Sequence, residues 1–142
     1  MNTPLAVRVT WFLLRVVSGL LFFQTGSVKF LGWFGGMPGG GGAAPFASQI
    51  GVGGALEFFG GLAILFGLLT RPVAFVLSGE MAVAYWQFHA PHGAWPVTNH
   101  GDAAVLYCFL FLFMSAYGAG PWSLDAWIRS RRSRALQRGP TK

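Results

Sequence analysis

The chain has 142 residues, of which 54% are hydrophobic and only 10% charged, against about 25% charged in soluble domains. A soluble domain of this size needs more charge to cover its large relative surface, and an aromatic content of 16% excludes disorder. The net charge of +6 resides in the tail, where Arg129, Arg131, Arg132, Arg134, Arg138 and Lys142 crowd together; Arg8, Arg15, Lys29 and Arg71 balance Glu57, Glu80, Asp102 and Asp125 in the body, so nucleic acid is not an expected partner.

A helix needs about 20 mostly apolar residues to cross a bilayer. Four stretches meet that need, over about 7–31, 50–69, 72–88 and 102–117. The first is expected to be a retained span rather than a cleaved signal, because Arg15 interrupts its apolar core and no small-x-small site follows. The glycine-rich run Gly35–Gly42 ends it. Thr70-Arg71-Pro72 reads as a tight turn between the second and third spans, with Pro72 at a helix start. The segment from Ala90-Pro91 to Asn99-His100-Gly101 separates the third from the fourth, and Gly118-Ala119-Gly120-Pro121 closes the fourth. Ser123 then caps a short amphipathic helix with Asp125 in its first turn. The expected fold is all-α: a four-helix integral membrane bundle over residues 1–128 and a basic tail over 129–142. Arg8, Arg71 and the tail fall on one side of it, so both termini are expected in the cytoplasm.

Charges at membrane depth cost about 2.5–3.5 kcal/mol each on insertion scales and are functional candidates by default. Arg15, Glu57 and Glu80 lie mid-span, Gln24 adds a polar group at depth, and Lys29 and Asp102 lie toward the outer ends. Arg15, Gly19, Phe22, Gly26 and Lys29 recur at helical spacing on one stripe, as do Gly53, Glu57, Gly60, Ile64 and Gly67. Glycines so spaced let helix backbones approach closely, which puts Glu57 in a seam rather than in lipid. Two readings stay open. In one, the charges form a lock, with Arg15 bridging Glu57 or Glu80 and Lys29 approaching Asp102. In the other, they line a polar pocket open to the outer half, able to bind a ligand or relay a proton.

His89, His92 and His100 share one loop, but their spacing matches no metal-ligand signature and no metal is expected. Cys108 reads as a packing residue. With a single cysteine and no haem, flavin or iron–sulfur motif, any oxidoreductase role requires a bound lipid-soluble carrier, a partner subunit, or both.

Arg15-x3-Gly19-x6-Gly26-x2-Lys29, Leu56-Glu57-x2-Gly60-Gly61, Gly67-Leu68-Leu69-Thr70-Arg71 and Gly118-x-Gly120-x2-Ser123-Leu124-Asp125 together resemble the DoxX family. Gly79-Glu80-Met81-Ala82-Val83-Ala84-Tyr85 and His89-Ala90-Pro91 resemble one bacterial branch of it. The resemblance spans about residues 11–127. It implies a four-helix protein of the bacterial inner membrane, named after a subunit associated with a thiosulfate:quinone oxidoreductase. On that basis the expected function is a redox-associated subunit holding a quinone or similar lipid-soluble ligand, without a covalent cofactor. The alternative is a non-enzymatic accessory or assembly subunit docked on a membrane or peripheral protein partner. Arg15, Lys29, Glu57, Glu80 and Gln24 are the leading site candidates, with His89, Asp102 and Asp125 behind them.

Overall fold

A computed structural model describes residues 3–137. They are helical, with no strand among them. Helix α1 (Leu5–Leu31) is followed by a 3-10 turn at Trp33–Gly35, α2 (Gln49–Phe66), α3 (Thr70–Ala84), the short α4 (Pro96–Asn99), α5 (Asp102–Tyr117) and α6 (Leu124–Gln137).

The helix ends follow local chemistry. Gly67, at φ +68°, turns α2 back on itself: its N–H donates to the Ile64 carbonyl at 3.0 Å, and the Leu68 N–H to the Ala63 carbonyl at 2.8 Å. A left-handed glycine terminates a helix whatever the hydropathy beyond it, so α2 stops at Phe66 although the apolar run continues to Leu69. The turn is thus Gly67–Leu69, and α3 begins at Thr70, with Pro72 inside its first turn, where a missing N–H costs nothing. At its other end α3 runs without a break into a five-residue π-helical turn, Tyr85–His89, which supplies the length expected to Phe88. Ser123 Oγ caps α6 by accepting from the Ala126 N–H at 3.2 Å. That helix continues to Gln137; Arg138 and Lys142 lie outside the described residues.

The long helices run antiparallel to their neighbours. α1 and α2 meet backbone to backbone. A Cβ on Gly19 would lie 2.5 Å from the Leu65 nitrogen, and those on Gly26 and Gly61 would collide with the backbone at Phe58 and Phe23. α3 meets α5 through Ser78 Oγ, which donates to the Cys108 carbonyl at 2.8 Å. α2 meets α3 where Gly60 receives Leu77. α1 reaches α5 through rings: Phe22 on Phe111 with centroids 4.8 Å apart, and Trp11 on Phe113 at 5.4 Å.

The core is small: Phe22, Ile64, Leu77, Met81, Phe111 and Met114 fill its centre. The outward faces are apolar instead. Leu13, Val17, Phe59, Phe75, Leu106 and Phe109 are all more than half exposed. A soluble monomer rarely carries such a continuous apolar exterior; a lipid-facing one requires it. α1 and α2 are each long and apolar enough to cross a bilayer, while α5 is apolar over 16 residues, about 24 Å at the α-helical rise.

Candidate functional site

The polar residues at depth separate into two groups, one at each end of α2.

The first surrounds the α2–α3 turn. The last carbonyls of α2 have no partner within their own helix, and Arg15 supplies one. Its Nη1 donates to Ile64 O at 2.7 Å and Leu65 O at 2.6 Å, and its Nη2 to Trp122 O at 2.8 Å. Across the turn, the first N–H groups of α3 lack partners by the same rule, and Asp125 supplies them. Its carboxylate accepts from the Leu69 N–H at 2.8 Å and the Thr70 N–H at 2.9 Å. The Asp125 N–H in turn donates to Gly67 O at 2.9 Å. A cation at a helix C-terminus and an anion at a helix N-terminus both complement the helix dipole. Gly67 makes the arrangement possible, since a Cβ there would lie 2.5 Å from that of Ser123 and 3.0 Å from Arg15 Nη1.

The second group lies toward the start of α2. Lys29 Nζ pairs with Glu57 Oε1 at 2.6 Å, the one ion pair among the described residues. Glu57 is buried and Lys29 is 29% exposed. Two adjacent glycines make room for different neighbours. A Cβ on Gly54 would lie 2.6 Å from the Lys29 Cβ, so Gly54 faces α1; one on Gly53 would lie 3.2 Å from Glu80 Oε1, so Gly53 faces α3. Glu57 Oε2 and Glu80 Oε2 are both buried and have no hydrogen-bond partner among the described residues. They border a cavity of about 750 Å³ whose wall includes Lys29, Glu57, Glu80 and His89 together with Met37, Ile50, Leu56 and Met81. That volume lies within the range of small-molecule sites, about 300–1,000 Å³.

Of the expected candidates, the cavity therefore gathers Lys29, Glu57, Glu80 and His89. His89 arrives by the π-helical turn, and its Nδ1 donates to the Asn99 carbonyl at 3.1 Å, which leaves Nε2 uncommitted. Gln24 lines a neighbouring pocket of about 610 Å³ that shares only Lys29 and Met37 with the cavity. The expected pairings of Arg15 with Glu57 or Glu80 do not form, because the backbone carbonyls at the end of α2 take its donors. Nor does Lys29 reach Asp102, which is exposed in the first turn of α5. Lys29 lies against Gly54 instead, and Glu57, one turn further along α2, takes its ammonium. The glycine stripe of α2 also divides: Gly53 and Gly60 serve α3, Gly54 and Gly61 serve α1.

Sequence reasoning missed three supports of this end. Asn99 is buried and organises the loop before α5, donating to Gly93 O at 2.9 Å and accepting from the Gly101 N–H at 2.9 Å. Gln49 donates to Gln87 across the cavity rim. Met37, from the glycine-rich loop, lines the wall. Only Gln87 carried a signal, by its helical spacing from Glu80 and Ala84.

Residues 10–90 match the DoxX family's sequence model. An uncharacterized protein of Haemophilus influenzae is 39% identical over 79% of this chain and 85% of its own length. The inner membrane protein YqjF of Escherichia coli is 27% identical over 82% of this chain and 90% of its own. No solved structure matches. With a matched stretch covering most of α1 through α3 and an exterior built for lipid, the chain is a membrane protein and belongs to the DoxX family.

Proposed function

We propose that this chain is a four-span bundle of the bacterial inner membrane, both termini cytoplasmic, that holds the head of a quinone in the Lys29–Glu57–Glu80 cavity as part of a redox system. Two observations support the setting. The E. coli relative carries the name inner membrane protein. Arg71, whose Nη2 donates to Tyr117 O at 3.4 Å, and the arginine-bearing α6, docked on the α2–α3 turn by Asp125, share one end of the molecule. Positive charge of that kind marks the cytoplasmic side. α5 is shorter than the hydrocarbon core of about 30 Å, a mismatch that local thinning and the flanking segments absorb.

The observation that carries the ligand reading is the pair of buried, unpartnered carboxyl oxygens on one cavity. Buried polar atoms are almost always satisfied, and an exception calls for a missing partner. A quinone carbonyl accepts hydrogen bonds, and a protonated carboxyl or the Lys29 ammonium donates them, so the donor set fits the group. A bound quinone supplies two-electron, two-proton chemistry, which these side chains do not contain themselves. The residues would do the rest. Lys29 orients a carbonyl oxygen and stabilises negative charge that develops on it. Glu57 holds Lys29 in place. Glu80 holds or passes a proton at Oε2, and one proton shared by two carboxyls beside one ammonium leaves the cavity neutral. Met81, Leu56 and Ile50 exclude water.

The test is titration of the purified chain with a short-chain ubiquinone while thermal unfolding is followed. A saturable rise in melting temperature, absent in Glu80→Gln, is expected. No shift in the unsubstituted chain, together with no quinone in its organic extract, would overturn the reading.

A further inference from the structure

The polar cavity has an apolar neighbour. On the face between α2 and α3, a groove of about 480 Å³ is lined by Phe46, Ala55, Phe59, Val73 and Leu77 with almost no polar surface. It shares Val52, Leu56 and Val76 with the polar cavity as a common wall. The two spaces therefore adjoin along one helix pair, a polar chamber toward the start of α2 and an apolar trough toward its end. Gly60 lets Leu77 of α3 seat directly against α2 beside the trough, since a Cβ there would lie 2.7 Å from Leu77 Cδ2.

We infer that the site takes a single-tailed amphiphile with an uncharged head, the head in the Lys29–Glu57–Glu80 cavity and the first part of its hydrocarbon tail in the α2–α3 groove. This rests on the ligand reading above and adds to it the tail site and the charge rule. The occupant of the groove follows from continuity: a chain leaving the polar cavity past Val52, Leu56 and Val76 enters the trough directly. The head's charge follows from the lining. With one proton shared by its two carboxyls and the ammonium already paired with Glu57, the cavity is neutral, so a carboxylate or phosphate head would bring a negative charge with nothing left to balance it, which discriminates against such a ligand. Free fatty acids and phospholipids are thereby disfavoured, and lipids with a neutral head, such as a quinone ring on a hydrocarbon tail, are favoured. The route in is sideways from the bilayer, because the groove opens on the apolar exterior that carries Phe59, which is 59% exposed.

The experiment uses the full chain in nanodiscs of zwitterionic lipid, with ubiquinone heads bearing no tail or one, two or three isoprene units. Affinity is expected to rise at least tenfold from the tailless head to two units and then level off. Ala55→Trp fills the groove without touching the polar cavity; it should erase that gain and leave the tailless affinity unchanged. Phe59→Ala, which removes one wall, should reduce the gain. Unliganded melting confirms that each variant folds. Oleate should not displace the bound quinone. If the tail gain persists in both variants, or if oleate competes as well as the quinone, the tail site or the charge rule is wrong and the head site stands. If no probe binds the unsubstituted chain, both fall together.

Discussion

The two ends of α2 handle buried polarity in opposite ways. At the α2–α3 turn the backbone groups are answered by side chains: Arg15 meets three carbonyls and Asp125 meets two N–H groups, while Arg15 Nε and Thr70 Oγ1 stay without a partner among the described residues. At the other end Lys29 answers half of Glu57, and Glu80 Oε2 goes unanswered beside a cavity. Both ends contain residues of the kind a bilayer penalises. The first end uses them to complete the backbone hydrogen bonding of two helix ends. The second retains polar capacity that the fold does not consume, which is the property expected of a site.

Substitutions can break that contrast. Arg15→Met should have the largest effect. It strips the guanidinium from three carbonyls; Ile64 O keeps the Gly67 N–H, while Leu65 O and Trp122 O lose their donor at about 1–3 kcal/mol each when buried and unsatisfied, and the protein should lose most of its resistance to denaturing detergent. Arg15→Lys should not rescue it, because an ammonium lacks the planar fork that spans carbonyls on two segments. If Arg15→Met unfolds like the parent, the turn is not locked as described. Glu57→Gln comes next, and its effect should fall on binding: quinone affinity drops at least tenfold, about 1.4 kcal/mol. Melting should change modestly, since Lys29 is partly exposed and regains water. A large loss of melting with binding intact would make Lys29–Glu57 a second lock. Asp125→Ala removes a two-pronged cap and should cost about 1–2 kcal/mol, read in the same unfolding assay, with quinone affinity unchanged. Glu80→Leu is the smallest and the sharpest by sign. Replacing an unpartnered buried carboxyl by an apolar group of similar volume should raise unliganded melting slightly while abolishing binding; a fall in melting would show that Glu80 has a structural partner.

The sequence carried the helices and their buried faces further than it carried the pairings. Arg15, Gly19, Phe22 and Gly26 are all buried on α1, as their spacing predicts, because a helical period of 3.6 fixes the face without knowledge of the neighbour. Glu57 lies in a helix seam for the same reason. The partners escaped because a backbone carbonyl has no letter in a sequence. Arg15 had acidic candidates at matching depth, and nothing in the residue string showed that the end of α2 would present its carbonyls to it. Asp125 likewise reads as the first turn of its own helix, while its carboxylate caps another. The cavity was legible only as a set of candidates. Its membership depended on the π-helical turn that brings His89 in, and on the split of adjacent glycines between two neighbours.

That split has a mechanical consequence. α2 is pinned to α1 by backbone contacts at Gly19, Gly26 and Gly61, where sliding or rotation would drive main chain into main chain. Against α3 it rests on side chains, Leu77 in the notch of Gly60 and Glu80 opposite Gly53. α2 thus has a main-chain seam on one side and a side-chain seam on the other, so a substitution meant to alter the cavity's width without breaking the fold has to be made on the α3 side.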